Sequence, residues 1–332
     1  GDDFLDGGDG EDLVLGFDCS DHLIGGAGRD VIRGENDNDI LEGGTETDIL
    51  SGGDGDDEIY ADSQADIDTV FNSNDVQAGT SRDWLSGGAG DDTLIGSTGQ
   101  NGLAGGGGND LIAGGAGDDH IFGDNDWKPQ GFFWTVDFDT NIHTYTYSPI
   151  EDNTVPGEGG ADTLYGGGGN DVIFAGEDND VAHGDSGDDF IVGEEGNDTL
   201  YGGTGEDTLL GDGTSVDPNE HGDDFIDGGD DDDIIVGAGG NDLLLGGAGS
   251  DQILGDDVND QLDGSFHGDD LIDGGAGDDF LFGLGGNDSI TGGDGNDQIL
   301  GDEPDIDAQY HGDDLLDGGA GEIFLDDWSR AA

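Results

Sequence analysis

The side chains best placed to do chemistry in this chain are aspartates on a fixed spacing. In "GGAGDDFLFGLGGNDSITGGDGNDQILGD", from Gly274 to Asp302, Asp279, Asp288 and Asp297 stand nine residues apart. Writing the unit as G-G-x-G-x-D-x-U-x, with U aliphatic, puts Asp3, Asp12, Asp21, Asp30, Asp39, Asp48 and Asp57 at the sixth position without a slip. The register resumes at Asp83, Asp92, Asn101, Asp110 and Asp119, then runs through Asp162, Asp171, Asp180, Asp189, Asp198 and Asp207. Asp224, Asp233, Asp242 and Asp251 follow, then Asp270, Asp279, Asp288, Asp297 and finally Asp314. Only Asn101 departs, keeping an oxygen while losing the charge. Carboxylate and carbonyl oxygens are hard donors that suit Ca2+ or Mg2+, whereas Zn2+ wants clustered Cys or His. One Cys and seven scattered His make zinc a poor fit. A flexible cage of turn carbonyls and paired carboxylates favours Ca2+, because Mg2+ demands tighter geometry and gives up water reluctantly. The 27 register residues are therefore candidate oxygen donors to such an ion.

Something must hold those carboxylates in line. Two residues after each sits an aliphatic side chain, among them Val14, Leu23, Ile32, Leu41, Leu50 and Ile59 early and Ile272, Leu281, Ile290 and Ile299 late, with Ala182 the one weak member. A period of nine is neither helical nor the alternation of one long strand; it fits a strand of about three residues and a six-residue turn. The strand's middle residue faces inward, and the glycines supply positive φ in the turn. One unit has almost no core, so units must stack to bury a continuous ladder. Two units make the smallest closed coil, which sets Asp279 against Asp297 and Asp270 against Asp288. Carboxylates stacked ~5 Å apart repel unless a cation lies between them. The 27 turns give about 13 coils, a rod of ~60–65 Å and up to about 20–25 sites between turns.

Composition agrees that a cation is needed. The 332 residues include 73 Gly, 83 acidic and 5 basic residues, for a net charge of −78. Such a chain stays disordered unless its charge is neutralised, and it repels nucleic acid and anionic membranes. No apolar run reaches membrane-spanning length, and a single cysteine excludes an intrachain disulfide. The chain has no Met and opens on "GDDFLDGG", which matches "GDDFIDGG" (222–229), "GDDLIDGG" (268–275) and "GDDLLDGG" (312–319). The expectation is one calcium-binding roll over residues 1–332, a fragment of a larger chain.

"GGAGDDFLF" (274–282), "GGGGNDLIA" (105–113), "GGAGSDQIL" (246–254) and "GGDGNDQIL" (292–300) resemble the nonapeptide of the repeats-in-toxin (RTX, hemolysin-type) family. The resemblance implies an all-β, right-handed parallel β-roll with Ca2+ between successive turns, each sixth-position Asp a ligand and the turn backbone supplying carbonyls. It also implies type I secretion of an unfolded chain that folds on calcium outside a bacterial cell. Nothing after Gly319 resembles the family's C-terminal export signal.

Five segments interrupt the period. "IFGDN" (121–125), "LLGDG" (209–213), "ILGDD" (253–257) and "ILGDE" (299–303) place Gly-Asp where the next turn is due. Three of these stretches end at His221, His267 and His311, each followed by Gly-Asp-Asp. They read as enlarged turns at 211–221, 255–267 and 301–311, with Asp260 in a loop. Each His is expected to close its loop by packing or hydrogen bonding in preference to binding metal. Even numbers of nonapeptides separate the four stretches, so all four insertions should leave from one edge of the roll. Residues 61–82 carry Asp68 and Gln77 at core positions and read as a further enlarged turn. The insertion 125–157 contains "GFFWTVDFDTNIHTYTYSP", whose alternation reads as a β-hairpin. Its aromatics suit a lid on the roll's side or, alternatively, a surface for a glycan or a protein partner.

No HExxH, GxSxG or P-loop is present. Ser20-Asp21-His22 lies within one turn, and adjacency is not a triad. Cys19 stands in for a turn glycine. No catalytic site and no enzyme activity is expected. The sequence points to a calcium-dependent structural or adhesive segment of a secreted or cell-surface protein, with calcium as its first partner and end-to-end or lateral self-association as a further expectation. The alternative is the calcium-binding portion of an exported protease, lipase, epimerase or cytolysin whose active domain lies outside these residues.

Overall fold

β-Branched Val and Ile favour extended backbone, and the glycines on either side rule out a helix, so one inward-facing aliphatic residue per nonapeptide is enough for one short strand. In the computed structural model, which describes residues 1–62, 83–124, 159–213, 221–256, 267–302, 312–320 and 324–326, there are 28 strands and no helix among the described residues. They run from β1 (Phe4–Asp9) and β2 (Leu13–Asp18) to β27 (Leu315–Asp317) and β28 (Phe324–Asp326). Odd-numbered strands form one 14-stranded sheet and even-numbered strands a second, each in sequence order. Every strand pair is parallel; β1 lies on β3 (His22–Ala27) with Leu5 opposite Leu23. Two strands per coil in two facing parallel sheets make a parallel β-roll, as expected.

Between the sheets runs a single file of aliphatic side chains. Leu23, Ile32, Leu41, Leu164, Ile173, Leu200 and Ile253 are wholly buried, and so is the short Ala182. Each coil gives only two residues to this file, so its burial comes from the coils above and below. On the outer face of the odd-numbered sheet, Tyr165, His183 and Tyr201 stack with ring centroids 4.7 and 4.6 Å apart, a cross-strand ladder of the kind aromatic pairs favour.

The strands are longer than expected. β3 spans six residues, and its pairing with β1 continues through Gly8–Gly26 and Asp9–Ala27. Stacking in register lets turn amides find carbonyls on the next coil, as Gly10 N–H does with Ala27 O (2.7 Å) and Gly28 N–H with Thr45 O (3.1 Å). The ladder therefore does not stop where the side-chain alternation stops.

The roll keeps its register across every interruption. β7 (Glu58–Tyr60) pairs with β9 (Thr93–Ile95), and β12 (His120–Phe122) with β14 (Val172–Gly176). Four interruptions connect an even-numbered strand to an odd one. These are β12 to β13 (Thr163–Gly168), β18 (Thr208–Leu210) to β19 (Phe225–Asp230), β22 (Gln252–Asp256) to β23 (Leu271–Ala276), and β26 (Gln298–Asp302) to β27. All four leave from the same edge. The fifth joins β7 to β8 (Trp84–Ala89) and leaves from the opposite edge. Asp256 and Asp302 end β22 and β26, so the chain departs from the roll later than positions 255 and 301. Residues 63–82 of the expected enlarged turn, the expected hairpin at 125–157, and the loop interiors with Asp260 and His311 lie outside the described residues. Among the described residues no helix is long and apolar enough to cross a membrane.

Candidate metal centres

Each turn delivers its sixth residue to the start of a strand, with the side chain folded beneath the turn. Stacking then lines these residues up in two files, one along each edge. In one file Asp21 Oδ1 accepts the N–H of Asp3 (2.7 Å), Asp39 that of Asp21 (2.7 Å) and Asp198 that of Asp180 (2.8 Å). In the other, Asp30 Oδ1 accepts from Asp12 (2.8 Å) and Asp48 from Asp30 (2.7 Å). The files cross the interruptions unbroken: Asp83 accepts from Asp48 (2.8 Å), Asp171 from Asp119 (2.6 Å) and Asp314 from Asp288 (3.0 Å). The structure thus brings each register residue to the one two units away and leaves its sequence neighbour on the opposite edge. Asp3, in the first coil, is exposed.

The second carboxylate oxygen is different. Oδ2 of Asp12, Asp21, Asp30, Asp39, Asp48, Asp57, Asp92 and Asp110, and of the register aspartates onward through Asp297, is buried with no hydrogen-bond donor among the described residues. It faces other oxygens. A Cβ built on Gly25 would meet Asp30 Oδ2 at 2.6 Å and the Gly43 carbonyl oxygen of the next coil at 2.6 Å. Only a glycine fits there, and what lines the cradle is two hard oxygens. The next residue, Gly26, needs glycine for a second reason, its φ of +112°.

The electrostatics follow from the stacking. Burial pushes Asp180 up to about 10, with Asp198 and Asp162 adding repulsion against the lowering effect of the Asp162 N–H bond. Burial likewise pushes Asp162 and Asp288 up to about 9 and Asp57 and Asp189 up to about 7. A buried carboxylate held beside others must take up a proton or a cation. Among the described residues no three or more His, Cys, Asp or Glu side chains form a compact metal-binding group, so an ion here would draw on backbone carbonyls as well as carboxylates. A carboxylate file flanked by backbone carbonyls fits a hard oxygen-seeking ion, and calcium in particular.

Two further sets of residues belong to this arrangement. The fifth position forms a second ladder running the other way: Asp91 Oδ1 accepts the Asn109 N–H (2.9 Å), Asp223 that of Asn241 (2.7 Å) and Asp269 that of Asn287 (2.7 Å). Its signal was the frequent Asp or Asn just before the register aspartate. The other set is the Asp of each Gly-Asp that precedes an insertion. Asp212 Oδ1 accepts the Gly222 N–H (3.3 Å) and its Oδ2 the Gly239 N–H (3.2 Å). Asp256 does the same with Gly268 (3.2 Å) and Gly285 (3.0 Å). Asp124 takes Gly160 (2.9 Å) and Glu177, and Asp302 takes Gly312 (3.2 Å). Each carboxylate closes the base of its insertion. His221 Nδ1 lies 3.2 Å from Asp212 Oδ2 and His267 Nδ1 3.7 Å from Asp256 Oδ2, all four side chains nearly or fully buried. The two histidines therefore sit against the closing carboxylates.

The family model of the RTX calcium-binding nonapeptide repeat matches residues 1–32, 16–50, 33–68, 71–103, 101–126, 151–182, 183–214, 222–244, 227–262 and 268–303. No curated protein matches the chain. Overlapping copies of the repeat cover most of the chain, and the repeat's register residues are those that line the two buried files; the chain belongs to the RTX calcium-binding repeat family.

Proposed function

We propose that this chain is a calcium-dependent structural or adhesive β-roll segment of a secreted or cell-surface bacterial protein, folding when calcium loads it outside the cell. One observation carries the reading: two stacked files of register aspartates, one of them broken at Asn101, in which Oδ2 of most members is buried with no donor among the described residues. The register aspartates and turn carbonyls such as those of Gly25 and Gly43 would hold the ions. Bound calcium supplies the positive charge that stacked oxygens require. About 20–25 ions would cancel half or more of the −78 charge. At the weak affinities typical of extracellular calcium modules, such a chain is empty in cytosol and loaded outside, and its binding free energy becomes folding free energy. The same region would serve equally beside an exported catalytic or pore-forming domain. The repeats themselves are a structural calcium-binding region.

Calorimetric titration combined with far-UV circular dichroism tests this. About 20–25 ions per chain are expected. The β signal should collapse in EGTA and return with Ca2+ but not with equal Mg2+. An unchanged β signal in EGTA defeats the proposal.

A further inference from the structure

One register turn carries no charged side chain. In Gly96–Asn101, "GSTGQN", Ser97 takes the second position and Asn101 the sixth. Asn101 keeps its place in the file, because its Oδ1 accepts the Asp83 N–H (3.2 Å) and its own N–H donates to Asp119 Oδ1 (2.7 Å). The other end of its amide differs in kind from an aspartate. Nδ2 donates to the Gly99 carbonyl of its own turn (3.1 Å). Ser97 Oγ accepts the Gly99 N–H (3.4 Å) and its hydroxyl reaches Asn101 Oδ1 (3.5 Å). Reversing the amide would set oxygen against the Gly99 carbonyl and NH2 against the Asp83 N–H, so these partners fix its orientation.

The cradle changes accordingly. A Cβ on Gly96 would meet Asn101 Nδ2 at 3.0 Å and the Gly114 carbonyl oxygen. Where Gly25 faces two oxygens, Gly96 faces one oxygen and an N–H donor. Gln100 adds a second neutral donor, from Nε2 to Asp118 Oδ2 on the next coil (3.0 Å). A cation needs oxygens facing it, and an amide NH2 in their midst repels it. We infer that the Gly96–Asn101 turn is a metal-free rung, in which the Asn101 amide satisfies its own turn and interrupts the file of calcium sites along that edge. This rests on the reading that register aspartates hold calcium. It removes Asn101 from the ligand set and divides the file into one stretch ending at Asp83 and another beginning at Asp119.

Native mass spectrometry of the full chain at saturating calcium counts the ions directly. Asn101→Asp, and the double variant Ser97→Gly with Asn101→Asp that restores the full repeat, should each bind at least one ion more than wild type. Asp110→Asn, on the other edge, should bind at least one fewer. If Asp110→Asn loses an ion while both Asn101 variants load no more than wild type, the metal-free rung is refuted and the calcium reading stands. If Asp110→Asn loads as wild type does, the assignment of register aspartates fails and this inference fails with it.

Discussion

Stripping calcium at neutral pH should unfold the roll, and acid alone should bring β-structure back. Asp180 shows why. Its side chain is 1% exposed, and burial, with Asp198 and Asp162 adding repulsion, raises it from 3.8 to about 10. Between those values the metal-free folded chain holds a proton that the unfolded chain has released. The stability from this group is therefore complete below about pH 4 and is lost as pH rises towards 10. At about 1.4 kcal/mol per pH unit, the loss from one such group is roughly 4 kcal/mol at pH 7. Asp162, Asp242 and Asp288, at about 9, act in the same direction, as do Asp92, Asp198 and Asp233 at about 8. Even at half that size each, several such groups together outweigh the roughly 5–15 kcal/mol that holds a domain folded. Chain passed over chelating resin should be a coil by circular dichroism at about pH 8 and gain β signal below about pH 6, while remaining monomeric by sedimentation. Calcium-loaded chain should hold its β signal over that same range. A metal-free chain fully folded at about pH 8, or a monomer with no β signal at about pH 4, refutes the idea that buried carboxylates are what calcium must neutralise.

Other perturbations act more locally. Asp288→Ala removes the acceptor for the Asp270 N–H; it should cost at least one bound calcium and raise hydrogen exchange in adjoining coils while leaving those around Asp30 protected, and a loss of every site would contradict nearest-neighbour stacking. Leu200→Ala, at a wholly buried core position, should lower the unfolding free energy of the calcium-loaded chain by ~2–5 kcal/mol in denaturant melts. Gly26→Ala drives a Cβ into the Gly8 carbonyl at a φ of +112°, and should destabilise its coil by about 1–3 kcal/mol, seen as faster local exchange. Asp212→Ala should expose the Gly222 and Gly239 amides to exchange, and equal protection in variant and wild type would remove the closing role assigned to that carboxylate.

The nine-residue period was enough to place the fold, because spacing alone decides which residue faces inward and which residue meets its copy two units on. The pairing of Asp279 with Asp297 is legible in that spacing. The fifth-position ladder is not, because that position varies in residue type and a lone Asp or Asn in a turn looks like ordinary turn chemistry. Asp212 and Asp256 were hidden for a similar reason. They stand where a glycine is due, and their acceptors matter only once the next coil brings Gly239 and Gly285 overhead. Asn101 read as a slightly weaker aspartate, since the sequence does not show which end of its amide faces the cradle. The extended strands were missed because side-chain alternation stops at the glycines while backbone pairing does not.

The two ladders of side-chain acceptors point in opposite directions along the rod. A register aspartate takes its amide from the preceding coil, whereas a fifth-position residue takes one from the following coil. Whichever end of a partly assembled rod is free, it offers an incoming coil both oxygens to bind and amides to give. Growth is therefore chemically symmetric, and a zipper of this kind can close from its leading tip, its trailing tip or a seed in the middle without changing its teeth.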